Sequence, residues 1–354
     1  MQRLVCGLTG LLWLPWVAAA QLHHALDVVL QPGTHSVQVM DTITLPEGSE
    51  GPLIFALHPG LQPEPMESDA RLTELPSVGD RQPRNAETEP SGLTPQRYRV
   101  DLPPGQRRFT LRYSGRILHG LQRQGEEYAR SFQQTSGTIT PQGVFLTGAS
   151  YWYPHFDAGL LQFELKVTLP ADWKSMTQGQ RLVHTTADDS VVQQWRCSTP
   201  QEEIYLIAGP FTEYAQTRRE TQAEVLLRTP DPALARQYLD ATHEYLELYT
   251  GLIGPYPFGK FAMVENFWET GYGMPSFTLL GPKVIRFPFI LHSSYPHEIL
   301  HNWWGNSVYI DYQSGNWAEG LTSYLADHLI KEQQGRGDAY RRTVLQKYTD
   351  YVDR

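Results

Sequence analysis

The sequence predicts an α+β protein, with an N-terminal all-β domain of saddle or sandwich type over 21–225 and a second, mixed domain over 226–354. Three observations predict it. Apolar residues alternate at period two through the first 210 positions, the mark of half-buried strands. After Thr229 the apolar period changes to that of a helix. Near the end, two histidines stand four residues apart in a helical stretch.

The elements follow in order. Residues 1–20 read as a cleaved signal peptide: Arg3, an apolar run from Leu4 to Val17 broken by Pro15, then Ala18-Ala-Ala20. The run is short for a membrane anchor, so an exported protein is expected, with no stable membrane insertion after cleavage. Cleavage leaves Cys197 as the single cysteine, so no internal disulfide can form. That suits a bacterial periplasm better than a disulfide-rich secreted domain. Val37, Val39, Ile43 and Leu45 alternate, and Leu53–Leu57 is a second strand ended by Pro59-Gly60. Residues 63–96 hold six prolines and read as an exposed insertion. Strands resume at Arg97–Leu102 and Arg108–Tyr113. Leu161, Phe163, Leu165 and Val167 mark another, and Ile204–Phe211 a last strong one. His155, in Tyr151-Trp-Tyr-Pro-His-Phe-Asp157, reads as a packed residue among aromatics.

Asp231 can cap a helix with Pro232 in its first turn. Leu234, Tyr238, Ala241, Tyr245 and Leu248 form its packed face, which makes His243 structural or exposed. Phe261–Val264 and Phe277–Leu280 read as strands. Ser294 is the expected cap of the next helix, with Pro296 in its first turn and Gly305 at its end. A further helix runs from Asn316 to Gln334, and Asp338 opens another.

The 354 residues are 40% hydrophobic and 12% aromatic, enough for two cores. A net charge of −9 argues against a nucleic-acid partner.

The chemistry centres on His297-Glu-Ile-Leu-His301, an HExxH sequence. Residues four apart share a helix face, so both imidazoles can bind one zinc. Glu298 lies beside the metal and not on it, placed to take a proton from water. Glu319 is the candidate third ligand, in Asn316-Trp-Ala-Glu-Gly-Leu-Thr-Ser-Tyr324. The bland alternative is a helix with two ordinary histidines and a solvated glutamate.

HEILHNWWGN followed by NWAEGLTSYLADH resembles the aminopeptidase N (membrane alanyl aminopeptidase) family of gluzincin metallopeptidases. The likeness is strong over 254–330 and weak in the β domain. It implies a thermolysin-like catalytic domain and one zinc per chain, held by His297, His301 and Glu319. It also implies Glu298 as general base and a peptide or protein substrate. Three departures accompany it. The 17 residues between His301 and Glu319 are one fewer than the family's usual gap, which places a deletion in the inter-helix loop at 311–315. The family's Gly-x-Met-Glu-Asn segment, whose glutamate binds the substrate amine, matches Gly271-Tyr-Gly-Met-Pro-Ser276. Gly273, Met274 and Pro275 are therefore the candidate substrate-binding residues, with Pro275 in the glutamate's place. Met263-Val-Glu-Asn266 imitates the segment too far upstream and reads as a strand end. Finally, only 35 residues follow Glu319, too few to reach the family's transition-state tyrosine. The sequence is thus expected to be the front part of a longer protein, with its catalytic domain truncated at the C-terminus. The rival reading is a catalytically impaired zinc-containing module that binds peptide. A purely structural zinc site would want a fourth Cys or His at ligand spacing, and none stands nearby.

Overall fold

The computed structural model describes residues 21–49, 52–76, 93–123, 133–157, 159–311 and 315–352. The expected signal peptide lies outside them. No helix among the described residues is long and apolar enough to cross a membrane.

Leu22–Gln31 buries alternate side chains and lies at the centre of a seven-stranded sheet. It pairs in parallel with Leu161–Pro170 and antiparallel with Ser36–Thr44. Ser190–Gln201 and Gln180–Ala187 extend one side, Arg108–Arg116 and Leu61–Pro65 the other. Val37, Val39 and Ile43 fill the buried face, as their alternation predicts. Asp41 occupies the same face and is fully buried, 2.8 Å from His24 Nδ1. Two four-stranded sheets and a two-stranded ribbon, Gln122–Arg123 with Gln133–Gln134, complete the N-terminal β domain among the described residues.

The proline-rich stretch differs from expectation. Leu61–Pro65 pairs with Arg108–Arg116, and Arg71–Leu75 pairs with Gln96–Asp101. Both are edge strands, where a proline gives up no ladder hydrogen bond, so Pro63 and Pro65 are tolerated. Residues 77–92 of that stretch lie outside the described residues.

A five-stranded sheet joins this domain to the helices, in the order Thr212–Arg218, Thr221–Leu227, Lys260–Glu265, Phe277–Leu280, Gly271–Met274. It opens at Thr212, upstream of the boundary expected at 225. Alternation assigns its two faces. Leu226, Ala262, Val264 and Leu279 pack into the β-domain core. Val225, Leu227, Phe261 and Met263 pack beneath the helices. Sheets covered on both faces read as unbroken apolar runs, and Lys260–Glu265 is buried throughout.

Helix α1 (Pro232–Leu252) is capped by Asp231, whose carboxylate accepts from Leu234 N at 3.0 Å. Its His243 is structural: Nε2 lies 3.1 Å from Gln216 O. Helix α2 (Ser294–Leu300) is short, and its Tyr295, Ile299 and Leu300 are buried. Its N-cap is Ser293 and not Ser294. No side chain caps that end, because Ser293 Oγ donates to Phe289 O instead. The helix frays into tight turns after His301, and Gly305 takes a left-handed φ of +95°. Beyond it the chain winds continuously through α3 (Trp317–Thr322), a π turn (Ser323–His328) and α4 (Leu329–Gln333). Helix α5 (Gly337–Val352) follows.

Candidate metal centre

His297 and His301 leave α2 on one face, with their Nε2 atoms 3.1 Å apart. Glu319, in the first turn of α3, closes the triangle. Its Oε1 lies 3.1 Å from His301 Nε2, and its Oε2 3.4 Å from His297 Nε2. Among the described residues these three form the one group able to hold a metal ion. Ligand atoms about 2.05 Å from a tetrahedral zinc stand roughly 3.3 Å from one another, so this donor set fits zinc.

The carriers of the triad are tied together. Trp304 Nε1 donates to Thr322 Oγ1 at 2.9 Å, which holds α3 against the segment that follows the histidines. Asn316 caps α3 by accepting from Glu319 N. Beneath α2, Tyr295 OH meets Thr242 Oγ1 of α1 at 2.6 Å.

The electrostatics ask for a cation. Burial lowers the His297 pKa, but hydrogen bonds to Asp327 and Glu319 outweigh it and carry it up to about 10. Burial also opposes charge on His301, and Glu319 and Glu298 again win, so its pKa is raised. The two histidines hold the Glu319 carboxyl far below its ordinary range. A bound metal cation would supply the positive charge that this anionic pocket otherwise draws from protons.

Asp327 is a residue that the sequence reading missed. Its Oδ2 lies 3.4 Å from His297 Nδ1, the nitrogen turned away from the metal position. Such carboxylates orient a ligand imidazole and fix its tautomer. Eight residues of ideal α-helix would leave Asp327 about 80° round from Glu319. The wider π turn between them brings it back toward the histidine.

Glu298 points toward the edge strand Gly271–Met274. A Cβ added at Gly273 would overlap Glu298 Oε2, so glycine is what lets the strand pass over the carboxylate. Gly273 is exposed at the rim, as a substrate-contacting residue requires. Met274 and Pro275 are buried instead, Met274 in the β-domain core. Pro275 and Ser276 form a two-residue turn into Phe277–Leu280, with Ser276 at φ +66°.

Two carboxylates near this strand, Glu265 and Glu269, are already engaged. Glu265 is buried, 2.8 Å from Arg286 Nη1, and accepts from Arg228 N. Glu269 accepts from Lys283 N.

No protein-family model matches this sequence, and no curated protein matches it. The fold is nevertheless similar to solved structures. One is the M1 zinc metallopeptidase from Deinococcus radiodurans, with a TM-score of 0.61 and 18% identity over 94% of this chain and 74% of that one. An alanine mutant of that enzyme bound to a Tyr-Ser-Ala substrate gives 0.61 and 18%, over 93% and 75%. Native yeast LTA4 hydrolase gives 0.62 and 15%, over 94% and 52%. The fold is therefore that of the M1 zinc metallopeptidases.

Proposed function

We propose that this chain is a zinc-dependent metallopeptidase, aminopeptidase-N-like in its motifs, in which Glu298 is the general base. The observation that carries the proposal is the convergence of His297, His301 and Glu319 with Glu298 poised against an open sheet edge. His297, His301 and Glu319 would hold a zinc ion, which would supply a Lewis acid to acidify water and polarise a carbonyl. Glu298 takes the proton from the attacking water and delivers it to the departing amine nitrogen. The edge strand Gly271–Met274 offers main-chain hydrogen bonds to an extended peptide. Asp327 holds His297 in its ligating orientation.

Specificity is proposed to be relaxed or endo-type. Pro275 offers neither a carboxylate nor an N–H to a substrate amine. Glu265 and Glu269 are occupied by Arg286, Arg228 and Lys283. A buried ammonium without a partner is costly, so this site gains little from a free N-terminus. The test is a pair of peptides, one with a free amine and one N-acetylated, assayed with and without a chelator. Comparable, chelator-sensitive cleavage of both supports the reading. Strict dependence on the free amine overturns the specificity, and chelator-resistant cleavage overturns the zinc.

The loss of the amine-binding glutamate also favours the rival, a zinc-containing module that binds peptide without cleaving it. Retention of Glu298, which metal binding does not need, supports the enzyme. Export to a periplasm or medium is proposed from the N-terminal apolar run and its small-residue end.

A further inference from the structure

Lys260 opens the central strand of the five-stranded sheet and faces the β domain, with 2% of its surface exposed. Its Nζ lies 5.6 Å over the Trp195 ring and 5.5 Å over the Phe277 ring. It donates to Ser276 Oγ at 2.9 Å, and Ser276 O is 3.4 Å away. Ser276 is the turn residue at positive φ that ends the edge strand. Its own N–H donates to Asn302 Oδ1 at 2.7 Å. Asn302 is fully buried and turns its amide back onto α2, donating to Ile299 O at 2.9 Å and Glu298 O at 3.2 Å. A continuous line of buried hydrogen bonds thus runs from the domain junction to the backbone of Glu298.

A non-glycine residue at φ +66° is a strained place, kept only where its surroundings over-determine it. Here the two bonds to Lys260 and Asn302 do so. The turn they hold lies three residues from Gly273, where any approach of the strand meets the Glu298 carboxylate. The Glu298 carboxylate thus fills the space beside Gly273 on that side.

We propose that Lys260 is a positioning residue which, through Ser276 and Asn302, sets the spacing between the edge strand and the Glu298 carboxylate. This rests on the reading of Glu298 as general base. Burial pushes the Lys260 pKa down to about 8 despite the pull of nearby Glu224, a cost that an apolar residue would avoid. Glu224 is 2% exposed and lies on the adjacent strand. Its own carboxyl is pushed up by burial.

The experiment uses three variants of the zinc-loaded protein: Lys260→Met with Glu224→Gln, which keeps the junction neutral; Ser276→Ala, which removes only the hydroxyl; and Asn302→Leu. Zinc content and thermal midpoint are read alongside kinetics, and Ser276→Ala serves if the first variant does not fold. Expected is a fall in kcat of about tenfold or more, with KM changed less than threefold and zinc retained, since small misplacements of a reacting group are costly. Combining Lys260→Met/Glu224→Gln with Asn302→Leu is expected to cost no more than the larger single effect, because the line acts as a unit. Wild-type kcat in folded, zinc-loaded variants, or strictly additive losses, overturns the proposal. If the wild-type protein cleaves no peptide, the parent reading has failed. Amide exchange at 271–274 and 276 then decides whether Lys260 positions the strand: about tenfold faster exchange in the variants upholds it, and unchanged exchange overturns it.

Discussion

Gly273 lies directly against the Glu298 carboxylate, so close that a methyl group at 273 would overlap Oε2. Its φ is not in the left-handed region, so the requirement for glycine is one of space and not of backbone conformation. A side chain at 273 would have to push the Glu298 carboxylate aside.

Gly273→Ala is expected to retain zinc and lower kcat/KM by about 10²-fold, because it must displace either the strand or the base. Hydrolysis of an internally quenched peptide, read beside metal content, checks it. Unchanged turnover would show that the strand and Glu298 have room to part.

Zinc content separates ligand from supporting carboxylate. His301→Ala is expected to abolish stoichiometric zinc. Asp327→Asn is expected to keep it but weaken affinity by roughly 10–100-fold, the usual scale for an outer-shell partner. Competition with a chromophoric chelator measures both. An Asp327→Asn protein with wild-type affinity would remove Asp327 from the metal site.

His155 governs part of the acid stability. Burial among Tyr151 and Tyr153, aided by nearby His24, pushes its pKa down to about 3. The folded state holds it neutral, whereas the unfolded chain takes up a proton near pH 6.5. Its contribution is complete above pH 6.5 and is lost as pH falls toward 3. By pH 4.5 the difference amounts to about 2–3 kcal/mol. Denaturant titrations at pH 7 and pH 4.5 are expected to show a larger drop for wild type than for His155→Phe. Equal drops would mean that His155 titrates normally.

The cluster of His297, His301 and Glu319 was legible from local pattern: HEILH sets two histidines on one helical turn, and Asn316-Trp-Ala-Glu319 marks a carboxylate at the next helix start. The α1 cap and the strand Phe277–Leu280 were legible for the same local reasons. What escaped depends on depth and winding. Nothing in the spacing of Asp327 points at His297 until the π turn is known. Lys260 and Glu224 look like ordinary surface charges in sequence, since a strand buried on both faces gives no alternation against which to notice them. Pro63 and Pro65 suggested a loop, because only the sheet order reveals that their strand lies at an edge. Met274 matched a substrate-binding motif, yet its side chain packs into the core.

The most direct test is peptide hydrolysis by zinc-loaded Glu298→Gln beside the zinc-loaded wild type. The account predicts equal zinc in both and turnover lower in the variant by roughly 10²–10⁴-fold, the usual scale for removing a general base. Equal turnover at equal zinc would contradict it, because the residue beside the metal would then have no part in the reaction.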